Sequence, residues 1–227
     1  MNCTNCSKST LIRKGKRGLH QRFQCKTCGK YQQSSYCTRR YNEGDDKRIT
    51  LLNAEGVGIR SMSRILEYSV STILRRILYL RSKITKPIYC ETNQVYELDE
   101  VCTYIGKNKP SNYCWIAYAI NRKTHQVMDI TFGSRSSANL GKVVSTLKSL
   151  NPSKIITDRL SAYPNLIHPI VHDTRRYSNN RIERCNLTLR THLKRLTRHT
   201  LCFSKSQKML EACVLLYLDY KYWKIKM

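Results

Sequence analysis

Two pairs of closely spaced cysteines constrain the fold of this chain more than any other feature of its sequence. Cys3 and Cys6 form one Cys-x-x-Cys pair, Cys25 and Cys28 form a second, and 18 residues lie between the two pairs. Each pair can occupy one tight turn, and two such turns complete a tetrahedral zinc site. The residues between the pairs predict two short strands. We therefore expect residues 1–45 to form a zinc ribbon, with free thiols or a redox pair as the alternatives.

The charge of the chain indicates the class of its partner. The sequence has 41 Lys and Arg against 15 Asp and Glu, which gives a formal net charge of +26. Its first residues contain no apolar signal-peptide core, and no apolar run approaches the ~18 residues of a membrane span. An intracellular protein with this excess of positive charge is expected to bind nucleic acid. An anionic membrane surface or an acidic protein is the alternative partner.

Residues 46–86 are predicted to be helical. Apolar residues recur at helical spacing in three short runs, and Ser69 separates the last two runs. Three short helices with a tight break before the last are typical of a helix-turn-helix module, whose last helix enters the major groove of DNA. We expect that helix to carry Arg75 and Arg76 on its exposed side. The alternative is a helical hairpin without a role in DNA binding.

Residues 88–227 are predicted to form an α/β domain. The segments QVYELDEVCTYIG, YCWIAYAINR and HQVMDITFG are rich in the β-branched and aromatic residues of strands. A helix is predicted over SSANLGKVVSTLKSLN, and a short buried strand is predicted at KIIT. The chain after Arg181 is expected to be helical. This order gives three antiparallel strands, a helix, a further strand and C-terminal helices.

Three acids stand out in this domain because acidic residues are scarce there. Asp99 is expected to end the first strand, Asp158 follows the buried strand, and Glu183 lies near the start of a strongly basic helix. Two aspartates on strands and a glutamate on a helix could form an oxygen cage for Mg²⁺ or Mn²⁺. Asp158 could instead be a strand-end cap, and Asp99 or Glu183 an ordinary salt-bridge partner. Glu183, for example, could pair with Arg184 or Arg190.

Several motifs make the chain similar to a known family. They are the two Cys-x-x-Cys pairs and the segments GVGIRSMSRIL, STILRRI, ELDEVCTYIGKN, ITDRLSAY and RRYSNNRIERCNLTLRTHLKRLTR. With these motifs the chain resembles, over nearly its full length, the transposases of the IS-one insertion-sequence family. The last segment is the most specific of them.

The resemblance implies a fold, an activity and a set of site residues. The implied fold is an RNase H-like mixed sheet flanked by helices, with an Asp-Asp-Glu catalytic triad at Asp99, Asp158 and Glu183. The implied activity is DNA cleavage at the ends of the element and transfer of the freed 3′ end to target DNA, with two Mg²⁺ or Mn²⁺ ions. The zinc ribbon and the helix-turn-helix module would bind the terminal inverted repeats.

The basic helix supplies further expected DNA contacts. The predicted DNA-binding residues there are Arg181, Arg184, Asn186, Arg190 and Lys194. We expect a homo-oligomer on DNA, in a cytoplasmic, nucleoid-associated prokaryotic protein with no membrane partner. Two other functions are compatible with the sequence. One is a zinc-ribbon and helix-turn-helix DNA-binding regulator without catalysis, and the other is an RNase H-like nuclease that cuts without joining.

Overall fold

The protein is built from two compact units. The computed structural model describes residues 1–35, 41–175, 180–197 and 200–223. The units are Met1–Asn42 and Glu43–Met227. The sequence led us to expect a separate helical module between a ribbon and an α/β domain, whereas the predicted helices belong to the larger unit. Residues 176–179 of the basic motif lie outside the described residues.

The smaller unit is a three-stranded antiparallel sheet. Its strands, in sheet order, are β1 (Leu11–Arg17), β2 (His20–Cys25) and β3 (Tyr31–Gln33). The sequence predicted the first two strands, and the third follows the second cysteine pair. Among the described residues of this unit, the buried ones are Cys3, Cys25 and Gln32. A unit with so little buried apolar surface needs another source of folding energy.

A five-stranded mixed sheet forms the centre of the larger unit. Its strands are β4 (Val95–Tyr104), β5 (Tyr113–Asn121), β6 (Val127–Gly133), β7 (Lys154–Ile156) and β8 (His172–Asp173). The strand order is β6-β5-β4-β7-β8. The pairs β4–β5 and β5–β6 are antiparallel, while β4–β7 and β7–β8 are parallel. The long strand β4 is therefore central, and it joins the antiparallel half of the sheet to the parallel half.

Helices cover both faces of this sheet. Helix α4 (Ser137–Ser149) packs on one face, while α5 (Asn180–His192) and α6 (Gln207–Leu218) contribute to the core on the other. The predicted helix after Arg181 is interrupted, because α5 ends at His192, and a short 3-10 helix (Lys194–Leu196) and the non-helical residues 200–206 precede α6. No helix in the described parts of the chain has the length and apolar character needed to cross a bilayer.

Three further helices precede the sheet and share its core. They are α1 (Asp45–Ala54), α2 (Ile59–Leu66) and α3 (Val70–Ser82). Ala54 is buried in the same cluster as α5 and α6, and the Asn53 amide donates to the Cys213 carbonyl of α6 at 2.9 Å. Helix α6 is buried on nearly all sides, as expected of a helix enclosed by other elements. This shared core is why the three helices are not a separate unit.

Gly56 sets the turn between α1 and α2. Its φ is +74°, and a Cβ at this position would lie 2.2 Å from the backbone oxygen of His192. Only glycine adopts this conformation readily and leaves room for that oxygen. The turn is thereby packed against the end of α5.

Candidate functional site

Two of the three predicted acids come together beside the central strand. Asp99 lies in β4 and Asp158 lies two residues beyond the end of β7. Because β4 and β7 are parallel with Glu97 opposite Ile156, the two aspartates fall at the same level of the sheet. Together with Glu100 they form a group in which one carboxylate oxygen of each residue lies within 4.8 Å of the others. We call Asp99, Glu100 and Asp158 the carboxylate group.

Glu183 is not a member of the carboxylate group. It lies in the first turn of α5 and is exposed. Asn186, one turn further along the same face of the helix, donates from Nδ2 to Oδ2 of Asp99 at 2.7 Å. Helix α5 therefore passes over Asp99. The catalytic role of Glu183 stays a prediction.

Glu100 is the site residue that sequence reasoning missed. It was missed because side chains alternate along a strand, which places Glu100 and Asp99 on opposite faces of β4. The described part of β7 pairs with β4 only from Val95 to Glu97, so side chains from both faces can meet around the edge of β4 beyond Glu97. A buried acid in a strand requires partners. The signal in the sequence was therefore an acidic residue, Glu100, inside a predicted strand.

Arg135 and Tyr163 are the partners of Glu100. The Arg135 guanidinium donates to Oε2 of Glu100 at 3.0 Å from Nε and at 2.7 Å from Nη2. The same Nη2 lies 3.4 Å from Oδ2 of Asp158, and the Tyr163 hydroxyl donates to Oε1 of Glu100. Arg135 thus places one positive charge between two acids of the group, which lowers their mutual repulsion.

The environment of Asp99 stabilises the protonated form of its carboxyl relative to a solvent-exposed aspartate. Burial raises the pKa of the Asp99 carboxyl to about 6, and the charges of Glu100 and Asp158 act in the same direction. The hydrogen bonds from the Glu100 backbone N–H and from Asn186 act in the opposite direction. A partly buried acid beside two other acids holds its charge more readily when a cation is present. Three carboxylates at this spacing fit the oxygen-donor preference of Mg²⁺ or Mn²⁺.

Glu97 attaches α5 to the sheet. Its side chain is fully buried, and Oε2 accepts a hydrogen bond from the Ile182 backbone N–H at 2.9 Å. A carboxylate at the first turn of a helix satisfies a backbone donor that has no partner within the helix. Arg122 lies 3.4 Å from the other oxygen. Glu97 therefore fixes the start of α5, and with it the position of Asn186 over Asp99.

Arg76 and Asn186 are not placed as the sequence led us to expect. Arg76 donates from Nε to Asp46 of α1 at 3.1 Å, and its side chain is only 20% exposed. The expected exposed position of Arg76 is therefore wrong. Asn186 is buried, and its Oδ1 accepts from the Tyr118 hydroxyl at 2.6 Å while its Nδ2 donates to Asp99. Asn186 orients a carboxylate, and its amide is not directed at solvent.

The remaining predicted DNA contacts are more accessible. Arg75, Arg184 and Lys194 are exposed. Arg181 is exposed as well, and its guanidinium donates to the Arg122 backbone oxygen. Arg190 is half-buried and contributes to the wall of a cavity next to Glu100. These residues stay predicted DNA contacts.

The four paired cysteines converge in the smaller unit. Sγ of Cys3 lies 3.5 Å from Sγ of Cys28, and Sγ of Cys6 lies 3.6 Å from Sγ of Cys25. All four sulfurs lie within 4.8 Å of one another. Four sulfurs at ~2.3 Å from a tetrahedral zinc ion would be about 3.8 Å apart, so the observed spacing fits a single zinc ion.

One of these thiols has a strongly favoured anionic form. The pKa of Cys25 is lowered to about 5, chiefly by the hydrogen bond from the Thr10 hydroxyl and then by the backbone N–H of Cys28. The thiolate is the form that binds metal. The arrangement therefore supplies the donor set of a metal site, as the two cysteine pairs predicted.

Comparison with known proteins places the chain in a family. Residues 93–224 match the family model described as IS1 transposase. The chain is 35% identical over 120 residues to the insertion element iso-IS1n protein InsB of Shigella dysenteriae, which covers 53% of this chain and 90% of that protein. It is 34% identical over 128 residues to the insertion element IS1 4 protein InsB of Escherichia coli (strain K12), covering 56% of this chain and 75% of that protein.

Among solved structures, the chain is similar to a chain in the cryo-EM structure of the simian T-cell lymphotropic virus intasome in complex with PP2A regulatory subunit B56 gamma. The sequence identity is 15% and the TM-score is 0.38, over 73% of this chain and 66% of that chain. A TM-score of this size does not establish a common fold.

Proposed function

Because the chain belongs to the IS1 transposase family, we propose that it cleaves DNA at the ends of an insertion element and joins the freed 3′ ends to target DNA. The observation that carries the proposal is the carboxylate group beside β4. Divalent cations held there would neutralise charge on the attacking and departing oxygens of one phosphate. Asp99 would bind them from β4, and Asp158 would bind them from the segment that follows the adjacent strand β7.

We further propose that Glu183 completes the acidic set when DNA is bound. It lies three residues before Asn186 on α5, and Asn186 already contacts Asp99. Residues three apart on a helix share a face, so Glu183 is on the side of α5 that is attached to the site. Its exposed carboxylate is free to change rotamer toward a cation.

The strand order supports an RNase H-like fold for this unit. Three antiparallel strands lead into two parallel strands, and Asp99 lies on the central strand β4. Helices cover both faces. The arrangement supports the expectation drawn from the sequence, with the acids at the point where the antiparallel half of the sheet meets the parallel half.

We propose that the cysteine cluster binds one structural zinc ion and that the smaller unit contributes to recognition of the terminal inverted repeats. The sulfur spacing supports the ion. The unit exposes Lys16, Arg17 and Arg22 around Tyr31, which is a surface suited to a DNA backbone. Helix α3 would add Arg75, and a homo-oligomer would bring two element ends together.

The Asp99→Asn variant tests the proposed chemistry. The substrate is a duplex taken from DNA that flanks the gene, so that it carries an element end. We expect Mg²⁺-dependent cleavage and joining to fall by about 10²-fold or more, because one anionic ligand is lost. Binding measured by gel shift should change little. Glu91→Gln, which alters an exposed acid outside the site, is the matched control.

The products distinguish the other functions from the proposed one. A DNA-binding regulator would bind the element end and leave it uncut in the wild-type protein. A nuclease would give nicks without joined products. If Asp99→Asn still cuts and joins at the wild-type rate, the assignment of the carboxylate group is wrong.

A further inference from the structure

A cavity of about 350 Å³ opens directly beside the carboxylate group. Its wall is formed by β4, β5, the segment between them, Arg190 of α5 and Thr197. Glu100 belongs both to this wall and to the carboxylate group. A molecule bound at the acids would therefore have the cavity as its immediate neighbour. The volume is at the lower end of the ~300–1,000 Å³ of small-ligand sites.

Three aromatic rings line this cavity. Tyr104 and Tyr113 are opposite each other on β4 and β5, and Trp115 lies two residues further along β5. Tyr113 is 42% exposed. The Trp115 ring has the Arg135 guanidinium 4.5 Å from its centre. Tyr104 is buried behind the wall, so Tyr113 presents the accessible ring. An accessible aromatic face suits a flat, π-faced ligand.

Arg190, in the wall of the cavity, has a side-chain atom without a hydrogen-bond partner in the described parts of the chain. Nε of Arg190 is buried and has no hydrogen-bond partner among the described residues. A buried donor without an acceptor is costly, so a small shift of the Arg190 guanidinium toward an acceptor on a ligand would be favourable. Asn108, on the segment between β4 and β5, is exposed at the rim and adds an amide. The site therefore combines aromatic faces with hydrogen-bonding groups that suit a heteroaromatic edge.

We propose that this cavity receives one unpaired nucleobase of the DNA strand whose phosphate lies at the carboxylate group. The inference rests on the proposed function, because that function places a strand at the acids. A base next to such a phosphate has to leave its stack to enter a cavity, and stacking on aromatic side chains offsets that cost. The ring of Tyr113 would stack on the base, and Arg190 would donate to its edge or to the adjoining phosphate.

Photocross-linking tests the proposal with the full-length protein. The probe is a duplex with one unpaired 5-iodouracil, held in Ca²⁺, and the cross-linked peptide is identified by mass spectrometry. We expect a cross-link to the β5 peptide that contains Tyr113 and Trp115. The cross-link should be lost in Tyr113→Ala and kept in Tyr113→Phe, because the ring is required and the hydroxyl is not. Tyr220→Ala, at an exposed tyrosine outside the cavity, should keep it.

A binding measurement gives a second readout. Tyr113→Ala should weaken binding to the probe by about tenfold, a typical effect of losing one base–aromatic stack. It should leave unchanged the binding of a probe that has an abasic nucleotide at the same position. Equal affinities of wild type and Tyr113→Ala for the base-containing probe would overturn the proposal, as would cross-links confined to other parts of the chain.

The outcomes separate this inference from the proposed chemistry. Cross-linking requires no cleavage. If the wild-type protein cross-links at β5 and the Asp99→Asn variant cleaves as well as the wild type, the cavity proposal stands and the catalytic proposal is lost. A protein that needs Asp99 for cleavage but gives no cross-link at β5 would lose the cavity proposal alone.

Discussion

Asp99 illustrates how a single residue would couple protonation to metal binding. It is partly buried, it faces two other acids, and its pKa is raised to about 6. Arg135 offsets the charge of Glu100 and Asp158, and the contacts of Asp99 itself are hydrogen bonds to neutral groups, the Glu100 backbone N–H and the Asn186 amide. A divalent cation would add the positive charge that Asp99 lacks. Proton and cation would therefore compete for the same carboxylate.

We expect the affinity for Mg²⁺ to depend on pH because of this competition. A raised pKa means that the proton is bound more tightly, so affinity should be nearly constant above pH 7 and should fall as the pH drops through about 6. Below that point the loss should approach about tenfold per pH unit if one proton must leave. Calorimetric titration with Mg²⁺ from about pH 5 to 8 measures this change in affinity.

The Asp99→Asn variant is the control for this pH dependence. It has no proton to lose at position 99, so its weaker Mg²⁺ affinity should show no inflection near pH 6. An inflection of the same size in the variant would show that another group titrates.

At the scale of secondary-structure elements, the two units depend on different sources of stability. The larger unit has a core on both faces of the sheet, built from α4 on one side and from α5 and α6 on the other. The strands β1, β2 and β3 of the smaller unit bury almost no apolar side chain among the described residues. The hydrophobic effect can therefore stabilise the larger unit but not the smaller one.

Removal of zinc should therefore unfold one unit and spare the other. We expect a chelator, or Cys25→Ser, to make residues 1–42 sensitive to protease while Glu43–Met227 keeps its thermal transition. The reason is that the proposed zinc ion would supply folding energy to the smaller unit, whereas the larger unit has its own core. Limited proteolysis and calorimetry on the same sample measure both effects. Cys90→Ser, at an exposed cysteine outside the cluster, is the matched control. Unchanged protease resistance of a zinc-free sample would contradict the prediction.

Over the whole molecule, the excess of positive charge bears on DNA affinity. With 41 basic and 15 acidic residues, many side chains can neutralise phosphates, but not every cation is available. Arg75 is exposed on α3, whereas Arg76 on the same helix is paired with Asp46 and lies 4.2 Å from the centre of the Tyr79 ring. The structure thus distinguishes basic side chains that are accessible to DNA from basic side chains that hold helices together.

Salt dependence of DNA binding should reveal this difference. Each phosphate contact adds roughly 0.9 to the slope of log affinity against log salt concentration. We expect a steep slope for the wild-type protein, and we expect Arg75→Ala to reduce it by about 0.9. Arg76→Ala should leave the slope unchanged and lower the melting temperature instead. Fluorescence anisotropy measures the slope between about 50 and 200 mM salt. A flat wild-type slope would contradict an extended DNA footprint.

The sequence by itself determined the elements that depend on local pattern. Alternation and aromatic content located β4, β5 and β6, and the apolar run KIIT located β7. The spacing of the four cysteines predicted a cluster, which the sulfur distances confirm. The motifs predicted the family. These features could be derived because each rests on neighbours in the chain or on a fixed ligand geometry.

Only the tertiary structure decided which groups meet. The short β7 leaves the edge of β4 without a strand partner beyond Glu97 among the described residues, and this allows Glu100 to join Asp99 and Asp158. The partner of Arg76 lies 30 residues away, and that of Asn186 lies 87 residues away. Helical periodicity gives the direction of a side chain relative to its own helix, but it contains no information on what a distant element places there.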